Sequence, residues 1–302
     1  MRLSFTKLAL FSSVIILSAC SNHKNESYSL EATGNGNAVF PLATALQVSY
    51  QDEVKLLRLN QLIADRNNVD DKQRAVLYYE RGLIYDRMGL TAHSRYDFNQ
   101  SINTDPTFAD AYNSLGVYLL MAGDYDEAFD AFDSAIELSE NTEYSYLHRA
   151  VGLSLVGRLQ GAQDDIEHFY ELDKTDPYRA LWRYKINFAI DPKLALEEIR
   201  NAAPEAEDNR FAWAIVAVIN GKITEERFFN SIANGVKTNK DLAHRLCEAY
   251  YYLAHWHINN NNLTKGLYYL KLSIAANVKD FIEYKYALLD LKNIQTDLQQ
   301  LQ

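Results

Sequence analysis

Seven histidines are the first residues to test for chemistry: His23, His93, His148, His168, His244, His255 and His257. The closest pair, in His255-Trp256-His257, is spaced i and i+2, which on a helix sends the two rings to different faces and makes a poor zinc pair. No His-Glu-x-x-His, Gly-x-Ser-x-Gly, Walker A or Cys-x-x-Cys pattern occurs; these spacings build metalloprotease, serine hydrolase, phosphate-loop and thiol redox sites. Carboxylates cluster in Asp124-Tyr125-Asp126-Glu127 and Asp164-Asp165. Both clusters fall at predicted helix starts, where acids complement the helix dipole, so capping explains them better than paired-acid catalysis. The Gly34-Asn35-Gly36 pair lacks the third glycine and preceding strand of a dinucleotide site. The expectation is a protein that is not an enzyme and uses no cofactor and no metal.

One residue carries a different chemistry. Arg2 and Lys7 precede an apolar run from Leu8 to Leu17, and the run ends in Leu17-Ser18-Ala19-Cys20. A run this short reads as a signal peptide, not as a mature membrane helix. Its ending resembles the bacterial lipobox: a branched apolar residue, two small residues that fit a peptidase cleft, and a cysteine whose sulfur accepts diacylglycerol. The alternative is an ordinary secretory signal with a chance cysteine. Cleavage after residue 19 would leave Cys20 as an acylated N-terminus, with two or three chains giving stable anchoring. By resemblance to Gram-negative lipoproteins, Ser21 in the following position favours the periplasmic face of the outer membrane. Cys247, the other cysteine, sits in the run Leu246-Cys247-Glu248-Ala249-Tyr250 and reads as a buried structural thiol without a disulfide partner.

The elements that would position any site follow from composition. With 48% hydrophobic and 23% charged residues, the 302-residue chain can bury a sizeable core. Thirty Lys and Arg stand against 40 Asp and Glu, for a net charge of -10; a nucleic-acid partner, which needs a basic face, is therefore not expected. Five prolines and twelve glycines leave long stretches free of helix breakers. From residue 20 to about residue 50 the sequence is rich in Asn, Ser, Gly and Thr, and is predicted to be a flexible tether.

An internal repeat sets the fold. Gly89, Gly123 and Gly157 share one register with Gly82, Gly116 and Ala150, with Tyr78, Tyr112 and Tyr146, with Ser94, Ala128 and Ala162, and with Phe98, Phe132 and Ile166. The period resembles that of the tetratricopeptide repeat, a helix-turn-helix unit. The predicted fold is all-α: a right-handed superhelix of residues 51–302 with repeats at about 75–108, 109–142 and 143–176. Helices without the repeat signature follow over 177–246, and a weak repeat is expected at about 247–280. Residues 51–67 and 282–291 would cap the ends, as solenoids require.

In such a superhelix the first helix of each unit lines the concave side. The candidate partner-binding groove is Tyr79, Leu83 and Asp86; Asn113, Val117, Leu120 and Met121; Tyr144, Leu147 and Val151. Tyr79, Leu83, Ser114, Tyr144 and His148 occupy the slots where chaperone-binding tetratricopeptide proteins carry a Lys, Asn and Arg carboxylate clamp. An extended or helical apolar segment is the expected ligand, with filling of the groove by the chain's own helices as the alternative. The runs Tyr250-Tyr251-Tyr252 and Tyr268-Tyr269 must point around more than one helix face. They predict either tight packing or an exposed aromatic seam for a partner or a second copy.

The lipobox, the tether, the repeats beginning Leu77-Tyr78-Tyr79-Glu80-Arg81-Gly82 and the tail Phe281-Ile282-Glu283-Tyr284-Lys285-Tyr286 together resemble the NlpI family, the tetratricopeptide outer-membrane lipoproteins of Gram-negative bacteria. The resemblance also takes in Asp164-Asp165, Phe169-Tyr170 and Asp176-Pro177, and is weakest between Pro192 and Asn239. It implies a homodimeric adaptor that binds murein endopeptidases and other peptidoglycan hydrolases, presents an endopeptidase to a periplasmic C-terminal-processing protease, and affects cell division. Competing classes are an assembly factor for outer-membrane proteins and a hydrolase with an unrecognised site.

Overall fold

The computed structural model describes residues 40–65, 68–139, 141–204 and 208–300; Cys20, its lipobox and most of the expected tether lie outside them. Among the described residues every regular element is a helix. The first is α1 (Tyr50–Ala64), followed by three hairpins: α2 (Asp71–Met88) with α3 (Thr91–Thr104), α4 (Ala109–Ala122) with α5 (Tyr125–Leu138), and α6 (Glu143–Leu155) with α7 (Leu159–Glu171). The glycines between the paired helices, Gly89, Gly123 and Gly157, have φ of 75°, 93° and 73°, a left-handed backbone that costs a residue with a Cβ.

The second glycine column explains how each pair closes. A Cβ on Gly82 would stand 2.6 Å from the Phe98 ring, and one on Gly116 would stand 2.5 Å from the Phe132 ring. The aromatic side chain of one helix therefore lies directly on the bare backbone of the other. In the third pair the column holds Ala150, and its partner position holds the slimmer Ile166; both are fully buried. The extra methyl on one helix is matched by the lost ring on the other.

Polar pairs sit behind this contact. Arg81 grips Asp97 through two hydrogen bonds of 2.6 and 2.7 Å, and two repeats later Arg149 grips Asp165 with the same geometry. Asp165 thus lies in the middle of α7 as the partner of a guanidinium, and the reading of Asp164-Asp165 as a helix start is corrected. The cluster at Asp124 does fall where α5 begins, with Asp126 and Glu127 in its first turn.

Four helices without the repeat signature come next: α8 (Pro177–Phe188), α9 (Pro192–Asn201), α10 (Ala212–Ile219) and α11 (Glu225–Ser231). Pro177 and Pro192 each open a helix behind an aspartate cap, Asp176 and Asp191, a position where the missing N–H is harmless. The last hairpin is α12 (Asn239–Asn259) with α13 (Leu263–Ala275), and α14 (Ile282–Gln300) ends the described chain. One continuous core runs from Val117 to Leu291.

One open alternative resolves towards tight packing, and one expectation changes. Tyr250, Tyr251 and Tyr252 are all buried, because α12 runs through the interior with other elements on every side; their hydroxyls donate to Pro41 O, Asp290 and Glu283. Of the aromatic runs only Tyr268 is exposed. The tether assignment also ends earlier than residue 50. Phe40 packs edge-on against Tyr268 and Tyr269, Thr44 exchanges two hydrogen bonds with Asn239, and Leu46 bonds to Ala276 and Asn277. No helix among the described residues is long and apolar enough to cross a membrane.

Candidate functional site: the concave face

The predicted groove residues divide into two groups. Leu120 and Leu147 have no exposed surface, and Val117 and Val151 are buried as well, so these four belong to the core. Leu120 reaches Gly152 of the next unit from a flank that the 3.6-residue period does not separate from the concave one, whereas Val117 is buried on the concave side beneath the residues that lead into α14. Met121 is half-buried against the same core. Leu83, Asp86, Asn113 and Tyr144 do reach the concave surface, while the Tyr79 ring packs against Phe98 and Phe108.

Much of that surface is covered by the chain itself. The turn before α14 and its first residues lie against the inner helices of the repeats. Lys285 Nζ is 2.8 Å from Asp86, which also accepts a hydrogen bond from Tyr118; Lys279 Nζ donates to Met88 O at 3.1 Å. The Tyr286 hydroxyl meets His148 Nδ1 at 2.7 Å, and burial holds that imidazole down to a pKa of about 3, with Lys285 adding to the effect. A gap of about 140 Å³ lined by Leu83, Asn113 and Val117 is what is left between these layers. Alpha 14 is therefore more than a terminal cap: it reaches back across the groove.

Beyond this plug the concave face reopens as a cleft of about 300 Å³ between α6, α7, α8, α12 and the start of α14. Tyr144, Phe169, Tyr178 and Trp182 form aromatic walls, and Tyr144 is 47% exposed. Glu248 on α12 and Glu283 on α14 contribute carboxyls. Tyr178 donates to Glu248 at 2.6 Å and Tyr252 to Glu283 at 2.7 Å. Burial and the neighbouring Glu283 push Glu248 up to about 8, and burial raises Glu283 too. Arg179, also on the wall, donates from its two Nη atoms to Phe169 O and Glu143 at 2.5 and 2.6 Å and lies over the Phe169 ring, while its buried Nε has no hydrogen-bond partner among the described residues and stands 3.9 Å from Asp176.

Of the residues lining this cleft, only Tyr144 belongs to the groove expected from sequence. Glu248 and Glu283 stand inside apolar-aromatic runs, and an acid in such a run was the available signal. A larger cavity of about 700 Å³ lies where residues 46–52 approach α12. Its charges are mixed, and its Arg87 and Asp52 already pair with each other at 2.8 Å. His255 and His257, as expected, diverge: one meets Asp290 and the other Glu225. Cys247 is buried beside Ser273, and burial pushes its thiol up, which disfavours the thiolate form.

With the geometry in place, comparison with known proteins names the class. Residues 98–130, from α3 into α5, match the tetratricopeptide repeat family model. Together with the repeated glycine and aromatic columns, this makes the chain an all-α tetratricopeptide-repeat solenoid. Similar solved structures are tetratricopeptide proteins as well. One is YrrB, described as having an unusual peptide-binding site, at 13% identity over 78% of this chain and 97% of that one, with a TM-score of 0.41. Another comes from Parabacteroides merdae, at 15% identity over 72% of this chain and 78% of that one, with a TM-score of 0.47.

Proposed function

We propose that the chain is a lipid-anchored, non-catalytic periplasmic adaptor of the NlpI type. It binds peptidoglycan hydrolases, murein endopeptidases among them, and presents an endopeptidase to a C-terminal-processing protease, so regulating wall turnover and cell division. Support for the scaffold comes from one observation above all: a repeat solenoid whose concave face keeps an open, aromatic-walled cleft after the chain has covered the rest of that face with its own α14. Support for the compartment and partners comes from Leu17-Ser18-Ala19-Cys20 and from the family resemblance. Peptidoglycan carries carboxylates, so a chain of net charge -10 is better matched to enzymes acting on the polymer than to the polymer, and it steers basic ones at low salt.

The test is capture. The chain from Ser21 onward, immobilised and exposed to a periplasmic extract at moderate salt, is expected to retain murein endopeptidases and a processing protease. Retention of outer-membrane barrels alone, or of nothing, contradicts the proposal.

A further inference from the structure

Five tyrosine hydroxyls donate to carboxylates among the described residues. In three cases a lysine completes the group: Lys285 on Asp86 at 2.8 Å, Lys265 on Glu225 at 2.7 Å, and Lys185 near Asp290 at 3.9 Å. The logic is electrostatic. A carboxylate drawn out of water stays ionised only with a cation as well as a neutral donor beside it, and otherwise takes up a proton; a lysine stem packs comfortably on aromatic rings. The two remaining acids, Glu248 and Glu283, have no Lys, Arg or His within ion-pair distance among the described residues. Both line the open cleft, and Glu283 is only 6% exposed.

The cleft offers the other half of the same arrangement. Tyr144, 47% exposed, presents ring surface to an incoming stem above the buried Phe169 and Trp182; elsewhere in the chain Lys185 already lies over the Trp182 and Tyr251 rings in this way, at 5.6 and 5.9 Å. A volume of about 300 Å³ is at the small end of ligand sites, suited to one long side chain and not to a cofactor. We infer that this cleft is a receptor for a lysine or arginine side chain carried by a segment of a partner protein, which completes the Glu248 and Glu283 groups as Lys285 completes Asp86. The inference rests on the scaffold reading and names what the scaffold recognises.

The protonation state supports it. Burial and the neighbouring Glu283 raise Glu248 to about 8, against a hydrogen bond from Tyr178 on α8 and the charge of Arg245 on its own helix; Tyr252 and Cys247 also face it, and Asp176, Arg179 and Asp280 line the same cleft. Glu283 faces Tyr252 and feels Lys285. An arriving cation favours the ionised acids, so binding strengthens as pH rises.

The experiment uses the full chain and two peptides, acetyl-Ala-Leu-Lys-Leu-Ala-amide and its Nε-acetyl-lysine twin, titrated by calorimetry at 0.15 M salt. The lysine peptide is expected to bind about tenfold more tightly than its twin. That preference should grow by on the order of tenfold between pH 6.5 and 9, where lysine stays charged. Glu248→Gln should abolish both the preference and the pH dependence. Tyr144→Ala, at an exposed wall position, should weaken the lysine peptide several-fold without moving the melting curve. Equal binding of the twins, or an undiminished preference in Glu248→Gln, overturns the inference. If Glu248→Gln still captures the hydrolases that the wild type captures, the scaffold stands and the cation site falls. Lysine preference in a wild-type chain that captures no partner leaves the cleft and sinks the adaptor.

Discussion

At the scale of single residues, the fold rests on pairs of side chains that fit only each other. Gly82 with Phe98 and Gly116 with Phe132 leave no room for a methyl group, while Ala150 with Ile166 does. Gly116→Ala should cost about 1–3 kcal/mol by overpacking. Adding Phe132→Ile should recover part of that loss in a denaturant double-mutant cycle, because the third repeat already uses this combination; strict additivity would show that the two sites do not touch. The buried glutamates make a second prediction. Burial works against Glu225, but bonds from His257, Lys265 and Tyr269 outweigh it and hold the acid down to about 2, so its contribution is present above its unfolded value and is lost as pH falls towards 2. Glu248 has the opposite sign. Its folded value is raised to about 8, so the unfolded chain releases that proton first, and stability declines as pH rises from about 4.5 to 8. Thermal melts of Glu248→Gln should lose this decline and cross above the wild type near pH 8.

Secondary elements show which parts of the structure could be read in advance. The hairpins α2–α3, α4–α5 and α6–α7 were legible because their turns need glycine and their contacts need small residues at a fixed spacing. The starts of α8 and α9 were legible from Pro177 and Pro192, while α10 and α11 have only their apolar pattern. The concave lining was only partly legible: Leu120 and Leu147 look the same in sequence as groove residues, and only the crossing of the next unit decides that they are core. Nothing local in the tail announced that Lys285 would reach Asp86, nearly two hundred residues earlier in the chain. That contact carries its own prediction. Lys285→Met should leave Asp86 and Tyr118 without their cation and lower stability by about 1–3 kcal/mol in urea unfolding. An unchanged midpoint would mean that the start of α14 is held on the repeats by apolar packing alone.

As a whole molecule, the chain joins an N-terminal segment anchored at Phe40 to a solenoid whose inner surface is divided between its own α14 and an open acidic cleft. Lipidation and location are tested separately from binding: Cys20→Ala should move the protein from the membrane fraction to the soluble periplasm, and persistent membrane fractionation would contradict the lipid anchor. The central claim is that the cleft is where partners dock. A photo-cross-linking amino acid placed at Tyr144, on the cleft wall, and separately at the exposed Tyr96 on α3, tests it most directly in living cells. The account predicts cross-links to a peptidoglycan hydrolase or the processing protease from position 144 and none to the same proteins from position 96. Cross-links from position 96 alone would place partner binding on another face and contradict it.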